Sequence, residues 1–253
     1  MKNSGFFEGI SQTAVKAGTY NTFYPVFDRD IAHMAVFMIA PLEKIKSILP
    51  SKRMHPFRLT PWHGMVTMSA SQHKESDIGP YNGVNIGVPF VLDKATPVFT
   101  GILRKAPDVP LIYVPYLAVN TEIARVTGIE LANNPGFLAE IQFAEDDQWI
   151  HCVVNADGSN ILKLSGRKLN LKKFPRQRFC PVTVKDNRLL RSEYNFSKSD
   201  TGVSRKSSDV RLEFGDHPMG MKLKELNLGK VIQYQYCPSG QAILTTVTES
   251  YPV

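Results

Sequence analysis

The sequence predicts a mainly β protein with minor α content, in which antiparallel strands close into a barrel or cone with a few flanking helices. Short apolar runs follow one another from Met65 to the end of the chain, and 17 glycines and 17 prolines are spread along it. Such punctuation is typical of many short strands joined by tight turns. The connections are mostly short, which favours antiparallel sheets over alternating strand and helix units. No internal repeat or linker interrupts the pattern, so we expect residues 1–253 to form a single domain.

The strand-like runs are bounded by polar or turn-forming residues. An apolar-rich stretch from Tyr24 to Ile39 comes first and is interrupted by three charged residues. The later runs are Met65 to Ala70, Val84 to Leu92, Leu111 to Val119, Leu138 to Phe143, Trp149 to Val154, Asn160 to Leu164, Leu189 to Phe196, Asp209 to Phe214, Val231 to Tyr236 and Ala242 to Val247. Asp157-Gly158 predicts a hairpin turn, and the polar segment from Ser197 to Ser208 predicts a loop.

One segment has the pattern of a helix. Pro41 suits the first helical position, Leu42, Ile45 and Ile48 share a face, and Pro50 ends the segment. We expect this helix, Pro41 to Leu49, to cover one end or face of a sheet.

Composition excludes several functional classes. The three cysteines are scattered with no paired spacing, so we expect a reducing, cytoplasmic setting. No histidine–carboxylate cluster has the spacing of metal ligands, so we expect no metal, and we also expect no cofactor. No apolar run is long enough to cross a membrane, and none at the start resembles a signal peptide.

The net charge of +7 comes largely from a basic stretch, Lys163 to Arg178, which contains no acidic residue. Such a stretch binds nucleic acid in some proteins and is a solvated surface in others. Phe174 is its one aromatic residue, so the stacking platform of a single-strand binder is missing. We therefore expect no nucleic acid partner.

A turn is predicted in the middle of the chain. The stretch Thr127 to Phe137 contains Asn133-Asn134-Pro135-Gly136, in which asparagine and glycine tolerate positive φ and proline fixes its own. A turn between core strands is a common place to present pocket residues.

Four motifs in order resemble one known family. They are Phe27-Asp28-Arg29-Asp30, Ile78-Gly79-Pro80-Tyr81-Asn82-Gly83, Gly128-Ile129-Glu130-Leu131-Ala132 continuing to Asn134-Pro135-Gly136-Phe137, and Val210-Arg211-Leu212 with Gly215-Asp216-His217-Pro218. Together they resemble the acetoacetate decarboxylase family over nearly the whole chain. The resemblance implies a barrel or cone of that family, homo-oligomeric assembly and carboxy-lyase activity.

The resemblance also implies a pair of lysines, of which the first forms a Schiff base with a β-keto acid. This chain has Gly136 and Phe137 at those positions, and neither can form an imine. Two pocket carboxylates of the family correspond here to Gly83 and Gly64. Whether the chain catalyses any reaction is therefore left open, and we predict no catalytic residue.

The predicted substrate-binding residues are Arg29, Tyr81, Glu130, Gly136 and Phe137. Arg29 is of the residue type that clamps a carboxylate, or it forms a surface ion pair with a neighbouring aspartate. Tyr81 points its hydroxyl inward or packs in a loop, Glu130 binds or braces the turn, and Phe137 narrows the pocket or belongs to the core. A relocated imine-forming lysine is a further alternative, with Lys163 as the candidate, although strand alternation favours solvent exposure for it.

The predicted function is binding of a small keto acid or carboxylate without Schiff-base decarboxylation. The alternatives are an active decarboxylase that uses a relocated lysine and a non-catalytic small-molecule receptor.

Overall fold

The computed structural model of the chain describes residues 4–94, 109–197 and 200–253. Within these ranges the strands are β1 (Thr13–Ala17), β2 (Tyr20–Tyr24), β3 (Val26–Pro41), β4 (Met54–Pro56), β5 (His63–Ser76), β6 (Tyr81–Leu92), β7 (Leu111–Val119), β8 (Gly136–Leu138), β9 (Glu140–Glu145), β10 (Trp149–Ala156), β11 (Ser159–Arg167), β12 (Lys172–Lys173), β13 (Gln177–Lys185), β14 (Arg188–Arg191), β15 (Tyr194–Ser197), β16 (Asp200–Ser204), β17 (Val210–Phe214), β18 (Val231–Leu244) and β19 (Glu249–Pro252). The α-helices are α1 (Leu42–Ile48), α2 (Glu122–Ala132) and α3 (Pro218–Glu225), and short 3-10 helices cover Ser4–Phe6 and Ser207–Asp209.

Seven strands close into a barrel in the order β18, β3, β5, β6, β7, β13 and β15, with β15 pairing back onto β18. All of these pairs are antiparallel except β7 with β13, which run parallel. Closure leaves no free edge in the barrel wall, which removes the unpaired backbone groups that an open sheet exposes. The predicted mainly β barrel is confirmed.

A second sheet of four strands, in the order β17, β11, β10 and β9, packs on the outside of this barrel. The main hydrophobic core lies between the two layers, because alternate residues of β5, such as Val66 and Met68, join Cys152 and Leu164 of the outer sheet in one buried cluster. The intervening β5 residues therefore point to the opposite side, into the barrel. The barrel interior is thus free to hold polar side chains.

The alternation of β3 is broken near its start. His33, Ala35 and Phe37 point into the barrel, and unbroken alternation would put Arg29 on the same face. However, the pairing of β3 with β5 shifts in register between Asp28 and Asp30 and again before Ile31. As a result, Asp28 lines the barrel interior and Arg29 does not.

The helices cover the barrel and its connections. Helix α1 confirms the predicted helix, with Leu42 and Ile45 buried, and a Cβ on Gly64 would lie 2.7 Å from Cδ1 of Ile45. Thr121 caps the N-terminus of helix α2, since its hydroxyl accepts from the backbone N–H of Ala124, and Asn133 caps the C-terminus. No helix in the described ranges is both long and apolar enough to cross a membrane.

The turn predicted at Asn133-Asn134-Pro135-Gly136 is confirmed: Asn133 has a φ of 50° and the backbone N–H of Gly136 donates to the carbonyl of Asn134. Thr127 to Ala132, before it, belongs to α2. Two other local predictions were wrong in part. The segment from Ser197 to Ser208 contains β16 and a 3-10 helix, because β16 pairs with both β12 and β18. The two predicted C-terminal strands form one long strand, β18, whose register shifts at Cys237 and Gly240. The Asp157-Gly158 hairpin is confirmed, since both residues have positive φ.

Candidate functional site

The barrel encloses a cavity of about 610 Å³. This volume is typical of a small-molecule site. Its wall is formed mainly by inward-facing residues of β3, β5, β6, β7, β13 and β15, with α2 closing one side. The cavity is therefore the interior left by a barrel whose main core lies on its outer face.

A polar strip follows β5 through the cavity wall. Thr67, Ser69, Ser71 and His73 are alternate residues of this strand and all line the cavity. Ser71 pairs across the wall with His33 of β3, and its hydroxyl lies 2.9 Å from Nδ1 of His33. Hydroxyl and imidazole groups on a rigid strand are well suited to orient a polar ligand.

The strip ends in a buried cluster of Asp28, His73 and Tyr81. Asp28 is 1% exposed and His73 is 7% exposed. Oδ1 of Asp28 lies 3.1 Å from Nδ1 of His73, but the contact does not have hydrogen-bond geometry, and neither atom has a hydrogen-bond partner among the described residues. The ring of Tyr81 stacks on the imidazole with centroids 3.9 Å apart and planes inclined by 12°.

The carboxylate of Asp28 affects the pKa values of two tyrosines, Tyr81 and Tyr194. Burial raises the pKa of Tyr81 well above its ordinary value, and the nearby carboxylate of Asp28 raises it further. The pKa of Tyr194 is raised well above its ordinary value by the same two causes in the same order. Both phenols are therefore protonated at neutral pH and can donate a hydrogen bond to a ligand.

Positive charge reaches the cavity from the end of the basic stretch. Arg176 and Arg178 both line it. Arg178 donates to Oε1 of Glu193 at 2.7 Å, whereas the guanidinium of Arg176 lies over the ring of Phe6 at 5.2 Å. Within the described part of the chain, Arg176 forms no ion pair.

Helix α2 and the turn after it form one wall of the cavity through Thr127, Gly128 and Asn134. Oγ1 of Thr127 is buried there and has no hydrogen-bond partner among the described residues. Within the stretch from Thr127 to Phe137, only Thr127, Gly128 and Asn134 line the cavity.

The predicted binding residues are dispersed. Tyr81 lines the cavity. Glu130 is exposed and accepts from the backbone N–H of Gly18 at 2.9 Å. Gly136 faces Arg125 of α2, and Phe137 packs against the main core outside the barrel.

Arg29 lies outside the cavity. Its Nη1 donates to Oδ1 of Asp77 at 2.5 Å, and its guanidinium lies 5.9 Å from the ring centre of Phe27. Asp77 is nearly buried and also accepts from Gln12 and from the backbone N–H of Phe27. The structure therefore places Arg29 in an ion pair at the rim and Asp28 in the cavity.

No lysine is among the described residues that line the cavity. Lys163 is exposed on β11 of the outer sheet, opposite Glu213, as strand alternation predicted. A further lysine, Lys105, belongs to a predicted loop and lies outside the described residues. Gly83 does line the cavity, and Gly64 packs under α1 instead. The described residues contain no group of three or more side chains suited to hold a metal ion.

The family follows from comparison with known proteins. The family model for acetoacetate decarboxylase (ADC) matches residues 15–247, which is most of the chain. The chain belongs to the acetoacetate decarboxylase family. No curated protein matches its sequence.

Solved structures of this family share the fold at low identity. The chain is 11% identical to acetoacetate decarboxylase from Legionella pneumophila subsp. pneumophila str. Philadelphia 1, with a TM-score of 0.65 over 90% of this chain and 88% of that one. It is 11% identical to the enduracididine biosynthesis enzyme MppR complexed with pyruvate, with a TM-score of 0.57 over 90% of each chain. It is 12% identical to an acetoacetate decarboxylase-like enzyme from Sphingomonas wittichii RW1, with a TM-score of 0.51 over 88% of this chain and 91% of that one.

Sequence reasoning missed Asp28, His73 and Arg176 as cavity residues. His73 had a signal, because it extends the alternating polar series Thr67, Ser69, Ser71 by one step. Asp28 had none, since the register shift that turns it inward depends on the partner strand.

Proposed function

We propose that this protein binds a small keto acid or carboxylate in the barrel cavity and acts without the Schiff base of its family. The observation that carries the proposal is that one cavity of small-molecule size is lined both by a cation, Arg176, and by the polar side chains of His73 and Tyr81. An unpaired guanidinium is a strong partner for a carboxylate, and phenol and imidazole donors suit a carbonyl oxygen.

Two further observations support the proposal. The structural neighbour MppR has been solved with pyruvate, a small keto acid, which makes this ligand class a reasonable first probe. The described residues that line the cavity include no amine that could form an imine. The cavity nevertheless keeps a protonated pair of tyrosines, which can polarise a carbonyl by hydrogen bonding alone.

Imine trapping tests the absence of a Schiff base. The protein is incubated with acetoacetate, reduced with borohydride and weighed by mass spectrometry, and we expect no adduct. An adduct on a single lysine would restore the alternative of an active decarboxylase, and the labelled peptide would identify the residue, including any outside the described ranges. Labelling of Lys163 alone is distinguished as surface reactivity if Lys163→Met removes the adduct but leaves any acetone formation unchanged.

Ligand binding tests the role of Arg176. Calorimetric titration with pyruvate is expected to show that Arg176→Met weakens binding about 10-fold or more, as loss of a charge-assisted hydrogen bond requires. Lys163→Met is the matched control, since it removes an exposed cation from the outer sheet, and it should leave binding unchanged. Arg29→Met decides between the two arginines: a greater loss there than in Arg176→Met would favour Arg29 as the clamp.

A non-catalytic receptor is the remaining alternative. It would bind the ligand as tightly as an enzyme would but leave it unchanged after prolonged incubation, which proton NMR of the ligand detects directly.

A further inference from the structure

His73 is held between a carboxylate and an aromatic ring. Its Nδ1 faces Oδ1 of Asp28 at 3.1 Å, and the ring of Tyr81 lies flat against one face of the imidazole. The opposite nitrogen, Nε2, forms no hydrogen bond with a described residue, and it is not fully buried. Nε2 therefore keeps accessible surface, and because His73 lines the cavity, that surface faces the ligand space.

Among the described residues, no lysine or arginine forms an ion pair with Asp28. The adjacent arginine, Arg29, is on the other face of β3 and is paired with Asp77. Since Asp28 is 1% exposed, its carboxylate is withdrawn from water, and Nδ1 of His73 lies 3.1 Å from its Oδ1. A buried carboxylate without a partner is costly, so this pairing favours a proton on Nδ1.

We propose that Asp28 and His73 form a proton-transfer dyad that enolises a keto acid bound in the cavity, an inference that rests on the proposed function. Asp28 is the positioning residue, because it holds the proton on Nδ1 and so leaves a lone pair on Nε2. His73 is the catalytic residue, because Nε2 faces the ligand.

The reaction step balances without a further reactant. The C–H bond next to the ketone carbonyl breaks, and its proton moves to Nε2. The electron pair of that bond forms the C=C bond of the enolate, and the C=O electrons move onto oxygen. Tyr81 or Tyr194 donates a hydrogen bond to this oxygen, since the raised pKa of both phenols keeps them protonated. The reverse step returns a proton from Nε2 to carbon. Because the proton on Nε2 exchanges with solvent before this step, carbon receives a hydrogen that comes from the solvent.

The contact between Nδ1 of His73 and Oδ1 of Asp28 lacks hydrogen-bond geometry, but this is compatible with the proposed role. Catalytic hydrogen bonds are often poorly aligned without ligand and tighten when the ligand binds. A carboxylate that fixes the tautomer of a histidine is a recurrent arrangement in catalysis and in metal sites. The alternative is that the pair is structural, in which case its loss would change stability but leave ligand chemistry unaffected.

Hydrogen exchange of pyruvate in heavy water tests the dyad. The methyl signal of pyruvate is followed by proton NMR with the full-length protein, and we expect it to decay faster than in buffer. His73→Gln should slow the protein-dependent exchange by about 100-fold or more, the usual contribution of a general base. Lys163→Met is the control and should exchange at the wild-type rate.

A separate binding titration distinguishes the two proposals. If pyruvate binds to the wild-type protein without accelerated exchange, the dyad is refuted and the proposed binding function stands. If pyruvate does not bind, the proposed function fails and the dyad fails with it. If exchange occurs but borohydride traps pyruvate on a lysine, exchange proceeds through an imine and the dyad is again refuted.

Asp28→Asn tests the positioning role and also serves if His73→Gln does not fold. We expect it to lower the exchange rate at saturating pyruvate while the dissociation constant stays the same. ¹⁵N NMR of labelled histidine should show His73 protonated on Nδ1 in the wild-type protein and a mixture of tautomers in Asp28→Asn. A wild-type His73 protonated on Nε2 would overturn the proposal, because that nitrogen could not then accept a proton.

Discussion

Two glycines of β6 offer a matched test of how tightly the barrel closes. Gly83 and Gly87 are four residues apart on the same strand, both are buried, and neither has positive φ. A Cβ on Gly87 would lie 2.6 Å from Cγ2 of Ile112 and 2.6 Å from Oγ1 of Thr67. A Cβ on Gly83 would meet nothing closer than 3.8 Å. The same substitution should therefore have opposite effects at the two positions.

For Gly87→Ala we expect a loss of about 1–3 kcal/mol in the free energy of unfolding, which is the usual cost of overpacking. Thr67 has little freedom to move away, since its hydroxyl donates to the carbonyl of Gly87 at 3.2 Å. For Gly83→Ala we expect a gain of about 0.5–1 kcal/mol, because alanine restricts the unfolded chain more than glycine does and the new methyl has room in the cavity wall.

Urea unfolding followed by circular dichroism measures both values, with equal slopes required before the midpoints are compared. A shift in the same direction for both variants would refute the reasoning, since the backbone change is shared and only the surroundings differ. A stabilised Gly87→Ala would specifically mean that β5, β6 and β7 do not approach as closely as described.

Two further predictions concern buried polar groups. Asp77→Ala should destabilise the protein by about 2–3 kcal/mol by urea unfolding, because it removes the carboxylate that accepts from two part-buried donors, the side-chain amide of Gln12 and the backbone N–H of Phe27. An effect no larger than that of Arg29→Met would mean that only the ion pair between Arg29 and Asp77 matters. Burial raises the pKa of Cys152 to about 12, and all three cysteines are buried, so iodoacetamide at mildly alkaline pH should label none of them in the native protein and all of them in guanidinium. Labelling of the native protein at one site would contradict that burial.

The sequence was informative where a pattern depends on one element alone. Strand alternation correctly predicted that Lys163 is exposed, and the position of Pro41 before an apolar stripe located α1. The Asn133-Asn134-Pro135-Gly136 signal marked a real turn, and the 11-residue helix α2 with Thr121 at its N-cap comes directly before it. That helix was predictable in principle from its capping threonine.

The sequence was uninformative where a pattern depends on a partner. Thr67, Ser69 and Ser71 alternate with buried Val66, Met68 and Ala70, and on a single sheet such polar residues normally face water. Here they face a cavity, because the apolar side of the barrel is covered by a second sheet whose position no local signal encodes. The placement of Asp28 and Arg29 likewise depends on the register of β5.

The register shift at the start of β3 has a consequence for how motifs transfer between relatives. Asp28 and Arg29 are adjacent and opposite in charge, so the shift decides which of these two charges β3 contributes to the cavity. Two relatives could share this dipeptide letter for letter and still present an acid in one cavity and a base in the other. An insertion or deletion of one residue there would replace the inward carboxylate of Asp28 with the guanidinium of Arg29. Comparison of family members should therefore count strand residues from the bulge before it assigns either side chain to the ligand.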